Sequence, residues 1–202
     1  MRKADGRAEA VLAHVESVLG DALHKRQVGS LADAAYGAMQ AVSLAIAAIG
    51  HALAMARNLC DKHAIKQIDR LIGNDKIDVQ SLFPAWIAKA VGNAKSVLIV
   101  MDWTDYDADD QATLSFNLVT GHGRATPLMW FSVLEAELTG QRNAIEDMCL
   151  TRLKAALPEG VDATILADRG FGDAHLMEFP THLGFRFSRA LSRRRPRDQR
   201  LR

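Results

Sequence analysis

Two hydrophobic periods divide the chain. Over the first ~90 residues apolar positions recur three and four apart, as on one face of a helix, and from Ser96 onward they form short runs or alternate, as in strands. Val11, Leu12, Val15, Val18 and Leu19 mark a first helix that stops at Gly20. An alanine-rich stretch over residues 31 to 59 predicts a second helical segment, bent or broken near Gly50. A third helix begins with Asp61 as its N-cap and carries Ile65, Ile68 and Ile72 on its apolar side as far as Gly73-Asn74.

Beyond Ser96 the pattern predicts a mixed sheet. A first apolar strand ends on Asp102, and residues 111 to 120 alternate, with Leu114, Phe116 and Leu118 on one face and Thr113, Ser115 and Asn117 on the other. Gly121-His122-Gly123 supplies a turn, with His122 as a turn residue, and a third strand follows over 124 to 134 with Trp130 and Phe131. Helical spacing returns through Ile145, Met148, Cys149, Leu153 and Leu157 and ends at Pro158-Glu159-Gly160. Then come a strand ending on Asp168, a tight Gly170-Phe171-Gly172 turn, a short helix over 173 to 183 and a strand from Phe185. The order β-β-β-α-β-α-β is an α/β arrangement in which an antiparallel meander is followed by a helical crossover, so the fourth strand runs parallel to the first. Asp102 and Asp168 then lie at strand ends that point the same way.

Composition narrows the class. With 202 residues, 49% hydrophobic and 24% charged, the chain can bury one large core or two small ones. Cys60 and Cys149 are the only cysteines and form no paired motif, which argues against a disulfide framework and for a reducing compartment. Cys60 and His63 have ligand-like spacing, yet no second pair completes a zinc set. The charged start Met-Arg-Lys-Ala-Asp-Gly-Arg is not a signal peptide, so a cytoplasmic location is expected. Residues 34 to 56 lack Asp, Glu, Lys and Arg over a length that could cross a bilayer, but their alanines and glycines favour a packed helical segment instead.

The net charge of +1 conceals a partition. Residues 186 to 202 hold eight Arg and one Asp, which leaves 17 basic and 23 acidic side chains in residues 1 to 185. Nucleic-acid contact in that acidic body therefore has to come from local patches. Lys62, Lys66 and Arg70 form one such stripe at a spacing of four along the third helix. It reads either as a solvated helix face or as a line of phosphate contacts.

The two strand-terminal aspartates are the main candidate chemistry. Burying an ionised carboxylate costs several kcal/mol unless it is compensated, and a divalent metal is the usual compensation. Side by side, Asp102 and Asp168 would begin a Mg²⁺ or Mn²⁺ site for phosphoryl transfer, with two ions about 3.5–4 Å apart in the complete form. The alternative is that each Asp caps the turn after its strand. Such sites use a third carboxylate, and Asp105, Asp107, Asp109 and Asp110 read as solvent-facing turn residues. An Asp-nucleophile phosphatase of the haloacid-dehalogenase kind needs a second acid two residues after the first, where this chain has Thr104. Gly170 and Gly172 lack the third glycine of a dinucleotide loop.

Three segments together resemble bacterial insertion-sequence transposases of the IS-four type. They are Asp102-Trp-Thr after its strand, Leu166-Ala-Asp168-Arg169-Gly-Phe-Gly-Asp173, and His63-Ala-Ile-Lys-Gln-Ile-Asp-Arg-Leu-Ile-Gly-Asn74, and the similarity spans roughly residues 50 to 190. The resemblance implies a ribonuclease-H-like catalytic core preceded by a helical DNA-binding region. It implies Asp102 and Asp168 as the first two members of an Asp-Asp-Glu metal triad holding Mg²⁺ or Mn²⁺, with Arg169 on a DNA phosphate. The implied partners are double-stranded DNA at transposon ends and a second copy in a homodimeric synaptic complex, with no membrane.

The family carries its catalytic Glu downstream within a Tyr-x2-Arg-x3-Glu-x6-Lys pattern, and this chain does not contain that pattern. Only 34 residues follow Asp168, and the one Glu among them, Glu178, lies just after the second acid. Residues 192 to 202 hold six Arg without strand or helix period. The expectation is a transposase fragment whose native C-terminal half a frameshift or early stop has replaced, arranged as a helical DNA-binding region (1–93), an incomplete core (94–191) and an Arg-rich disordered tail (192–202). A non-catalytic DNA-binding or regulatory remnant, or a product with no stable role, are the other readings.

Overall fold

The computed structural model describes residues 6–168, 171 and 174–189, with the side chains of 174–177 left aside. Two compact units divide between Trp86 and Ile87, within the helix Val79–Val91 (α5).

The first unit is helical. Helices α1 (Gly6–Leu19), α2 (Lys25–Ala41), α3 (Ile46–Arg57) and α4 (Asp61–Ile72) pack around Tyr36, Ile49, Leu53, Ala54, Ala64 and Ile68. The first helix stops where its pattern stops, as Gly20 N–H closes on the Glu16 carbonyl at 2.9 Å. The second starts six residues before the alanine-rich stretch. His24 accepts from Arg26 N–H and Gln27 reaches back to His24 N–H, which satisfies donors that a helix start leaves open.

The break expected near Gly50 lies at residues 42–45 instead. Val42 closes α2 in a left-handed conformation at φ +50°, and Ser43 Oγ accepts from Ala45 N–H at 3.2 Å. Gly50 sits inside α3, where it serves a close approach of α4 rather than a bend. Two smaller expectations also shift. Cys60, not Asp61, occupies the N-cap of α4, while Asp61 stands in the first turn and pairs with His51 Nδ1 at 3.1 Å. Ile72, expected on the apolar side, is 63% exposed, so Ala64 and Ile68 carry the burial of this helix.

Among the described residues no single helix is long and apolar enough to cross a membrane. Helices α2 and α3 have the length and composition only as a pair, and they bend by 96° at their break. Their apolar side chains are used in the core of the helical unit.

The second unit is α/β, with a five-stranded mixed sheet in the order β3-β2-β1-β4-β5. Strands β1 (Ser96–Tyr106), β2 (Gln111–Val119) and β3 (Ala125–Leu134) form the antiparallel meander. A short helix α6 (Glu135–Leu138) and the longer α7 (Arg142–Ala156) lead to β4 (Asp162–Ala167), which pairs parallel to β1. Helix α8 (Ala174–His182) then leads to β5 (Arg186–Arg189), parallel to β4. The period-two pattern of β2 is a half-buried strand, with Ala112, Leu114, Phe116 and Leu118 inside. Together with Ile99, Met101, Leu128, Met129 and Ile165 they line the core of the unit, to which α7 adds Cys149, Leu150 and Leu153.

The first strand departs from its sequence pattern. It does not end on Asp102 but continues through Tyr106, paired with β2 to its last residue. Asp102 is therefore a mid-strand residue, and capping a turn is not open to it.

Candidate functional site

Register brings the two aspartates together. On β1, Ile99 and Met101 are buried on one face, and alternation turns Asp102 to the other. Met101 stands opposite Ala167 in the parallel pairing of β1 with β4, so Asp168 follows at the position beside Asp102. Neighbouring strands run about 4.8 Å apart, a spacing at which two carboxylates can share one ion. On its other side Asp102 stands opposite Ser115 of β2.

Both aspartates are exposed. Desolvation thus supplies no force that calls for a counter-ion, and the argument from buried charge is replaced by an argument from register. Mg²⁺ keeps several of its waters and is bound through one or two carboxylates, so this pair fits one hydrated ion. Among the described residues no group of three His, Cys, Asp or Glu converges as a metal site. Asp105 at the end of β1, Asp107 and Asp109 in the 3-10 turn Asp107–Asp109, and Asp110 after it are exposed, as is Glu178 on α8. Arg169, Gly170 and Gly172 lie outside the described residues, as do residues 190–202 with the Arg-rich tail.

The face bearing Asp102 is polar and open along the meander. Tyr106, Thr113, Ser115, Asn117, Trp130 and Ser132 border a shallow depression of about 470 Å³. Thr113 and Ser132 hydroxyls share a hydrogen bond across the strands at 2.7 Å, and Trp130 is 41% exposed.

The opposite face holds a polar contact that the sequence pattern did not single out. Trp103, next to Asp102 in the chain, donates its indole N–H to Glu146 Oε1 on α7 at 2.8 Å, and the Arg142 guanidinium lies 4.9 Å from the ring centroid. Glu146 is 3% exposed, and its only sequence signal is an acid on the helix face that also carries Cys149, Leu150 and Leu153. This contact ties β1 to α7 one residue from Asp102. Trp103→Phe removes the indole donor from a buried carboxylate and is expected to lower the stability of this unit by about 1–3 kcal/mol, read from urea denaturation.

The buried thiol of Cys149 is set against chemistry. Burial pushes it up to about 11 from its ordinary 9.0, with Glu146 adding to the rise and Arg152 opposing it. Native protein at pH 8 is therefore expected to release one equivalent of thiol to a disulfide reagent, from the exposed Cys60, and two after denaturation. Between about pH 9 and 11 the folded state retains a proton at Cys149 that the unfolded state loses, so this thiol lowers stability as the pH rises through that window.

The basic stripe is split by the fold. Lys62, Lys66 and Arg70 are all exposed on α4. Lys66 and Arg70 line a cleft of about 600 Å³ together with Arg26 of α2, whereas Lys62 is not part of its lining. Arg26 was invisible as a partner because only the packing of α2 beside α4 brings it there. No protein-family model and no curated protein matches the chain.

Proposed function

We propose that the α/β unit is a ribonuclease-H-like core for metal-dependent phosphoryl transfer on double-stranded DNA, of the kind found in insertion-sequence transposases of the IS-four type. Asp102 and Asp168 are its first two metal ligands. The observation that carries this reading is the parallel register of β1 and β4, with Met101 opposite Ala167 and the two acids at the next position on one open face. Mg²⁺ or Mn²⁺ bound there would activate a water or a 3′-hydroxyl and stabilise charge developing at phosphorus. The chain's own contribution is orientation. Asp102 is held within a strand paired on both sides, and Trp103 anchors that strand to Glu146 of α7.

A second reading follows from the ligand count. Two convergent carboxylates, without a third acid among the described residues, favour a DNA-binding remnant in which the ion site is retained and in-line displacement is not. Incubating the chain with supercoiled plasmid in Mg²⁺ or Mn²⁺ separates the readings. Metal-dependent nicking that disappears in Asp102→Asn supports the enzyme. Salt-sensitive DNA binding without nicking supports the remnant.

A further inference from the structure

The helical unit holds a second cluster of charged side chains, with no part in the aspartate pair. Its cleft of about 600 Å³ lies between α2, which supplies Arg26 and Ser30, and α4, which supplies His63, Lys66, Gln67 and Arg70. That volume is within the usual range of small-ligand sites, about 300–1,000 Å³. Three side chains that are cationic at neutral pH thus share one small-molecule-sized space, and no Asp or Glu stands in its lining. Among the described residues Arg26, Lys66 and Arg70 make no ion pair. Like charges gathered without a counter-charge repel one another, and an anion between them removes that repulsion. We infer that the cleft between α2 and α4 binds a small ligand through a phosphoanhydride group, a diphosphate or longer, gripped from one wall by Arg26 and from the other by Lys66 and Arg70.

Charge, spacing and lining select this chemistry. Lys66 and Arg70 are one turn apart, about 6 Å along α4, so they suit two successive anionic groups better than one. Arg26 meets the same anion from the opposite wall, and a guanidinium fork matches phosphate oxygens in pairs. Ser30 and His63 add donors, the imidazole in either protonation state. The acid that follows on α2, Asp33, is turned to other use: it accepts from Gln67 Nε2 at 2.9 Å and pairs with Arg57 at 2.6 Å. That network answers the charge of Asp33 and holds Gln67 against α2. Leu71 is the only apolar side chain in the lining, and no Phe, Tyr or Trp reaches it, so the cleft offers no stacking platform for a base. The anhydride itself is the recognised group.

Isothermal titration calorimetry of the full chain with inorganic pyrophosphate and tripolyphosphate, without divalent ions and at constant ionic strength, tests this site. One saturable site per chain is expected. Arg26→Gln and Arg70→Gln are each expected to weaken it about tenfold or more, as loss of a charge-assisted hydrogen bond does. Lys62 shares the helix stripe but not the cleft, so Lys62→Gln is expected to leave affinity unchanged. Ser30→Arg adds a cation to the α2 wall and is expected to tighten binding. Asp102→Asn is expected to bind like the parent, because the aspartates have no part in a metal-free titration. Failure of phosphoryl transfer and failure of this site are thereby read separately.

Adenosine 5′-diphosphate distinguishes the sources of the group. Binding as tight as that of pyrophosphate supports an anhydride carried on a larger ligand, and binding of pyrophosphate alone supports a free oligophosphate. Four results overturn the site: no saturable binding at millimolar pyrophosphate, Arg26→Gln binding like Lys62→Gln, no gain in Ser30→Arg, or sulfate and citrate binding as tightly as pyrophosphate. Displacement of pyrophosphate by duplex DNA at equal phosphate concentration also overturns it, since the occupant would then be a nucleic-acid backbone.

Discussion

Gly50→Ala is expected to destabilise the helical unit although it replaces the second-worst helix former by the best. Propensity alone favours alanine inside a helix by about 1 kcal/mol. A Cβ at Gly50, however, would stand 2.6 Å from Ile65 Cα, 2.8 Å from Ile65 N and 2.5 Å from Ile65 Cγ1. Two of those three atoms are backbone, so relief requires α3 and α4 to separate along their whole contact. Overpacking of this kind costs about 1–3 kcal/mol, and more when main chain is displaced, which outweighs the propensity gain. Gly29 in α2 is the control, because a Cβ there meets nothing within 4 Å. Gly29→Ala is expected to stabilise by about 0.5–1 kcal/mol. Urea denaturation followed by far-UV circular dichroism reads both signs, and a stabilised Gly50→Ala would mean that α3 and α4 do not approach as described.

The same glycine shows where sequence reasoning stops. In an alanine-rich stretch Gly50 is the natural place to expect a break, because glycine is a poor helix former. The real break is closed by Val42 at φ +50°, a conformation that β-branched residues seldom adopt, so no local signal marks it. The reverse holds for β2. Leu114, Phe116 and Leu118 alternate with Thr113, Ser115 and Asn117 because one face is buried and the other is not, and that division is written directly in the chain.

Tertiary partners are legible only where topology fixes them. The meander followed by a crossover dictates that β1 and β4 run parallel, so Asp102 and Asp168 point toward the same end of the sheet, whereas the level at which they stand is set by the Met101–Ala167 register, which topology alone does not fix. Arg26 and Glu146 have no such rule behind them. Each is brought to its site by the packing of whole helices, α2 beside α4 and α7 under the sheet, and each looks like an ordinary helix residue in the sequence. As strand-terminal acids the aspartates read as costly buried charges, yet both are exposed, and it is strand register that sets them side by side.

Exposure sets the terms of the largest functional effect. Both carboxylates are exposed, so the proposed ion site would contribute little to folding and its loss should leave stability nearly unchanged. Asp102→Asn and Asp168→Asn are thus expected to weaken Mn²⁺ binding with a change in urea midpoint too small to account for it. If both acids hold one ion, either substitution should remove most of the affinity, about 10-fold or more. The double variant should then fall far short of the sum of the two single effects, as groups acting as one unit do. Titration of Mn²⁺ by the loss of its free-ion electron paramagnetic resonance signal reads this directly, with one ion per parent chain. Additive losses would show two independent weak carboxylates, and an unchanged affinity in Asp168→Asn would remove β4 from the site. The Trp103→Phe variant adds a test of orientation, since Trp103 follows Asp102 on β1 and anchors that strand to α7 through Glu146. Mn²⁺ affinity that falls in Trp103→Phe while the protein remains folded identifies Trp103 as a positioning residue for Asp102.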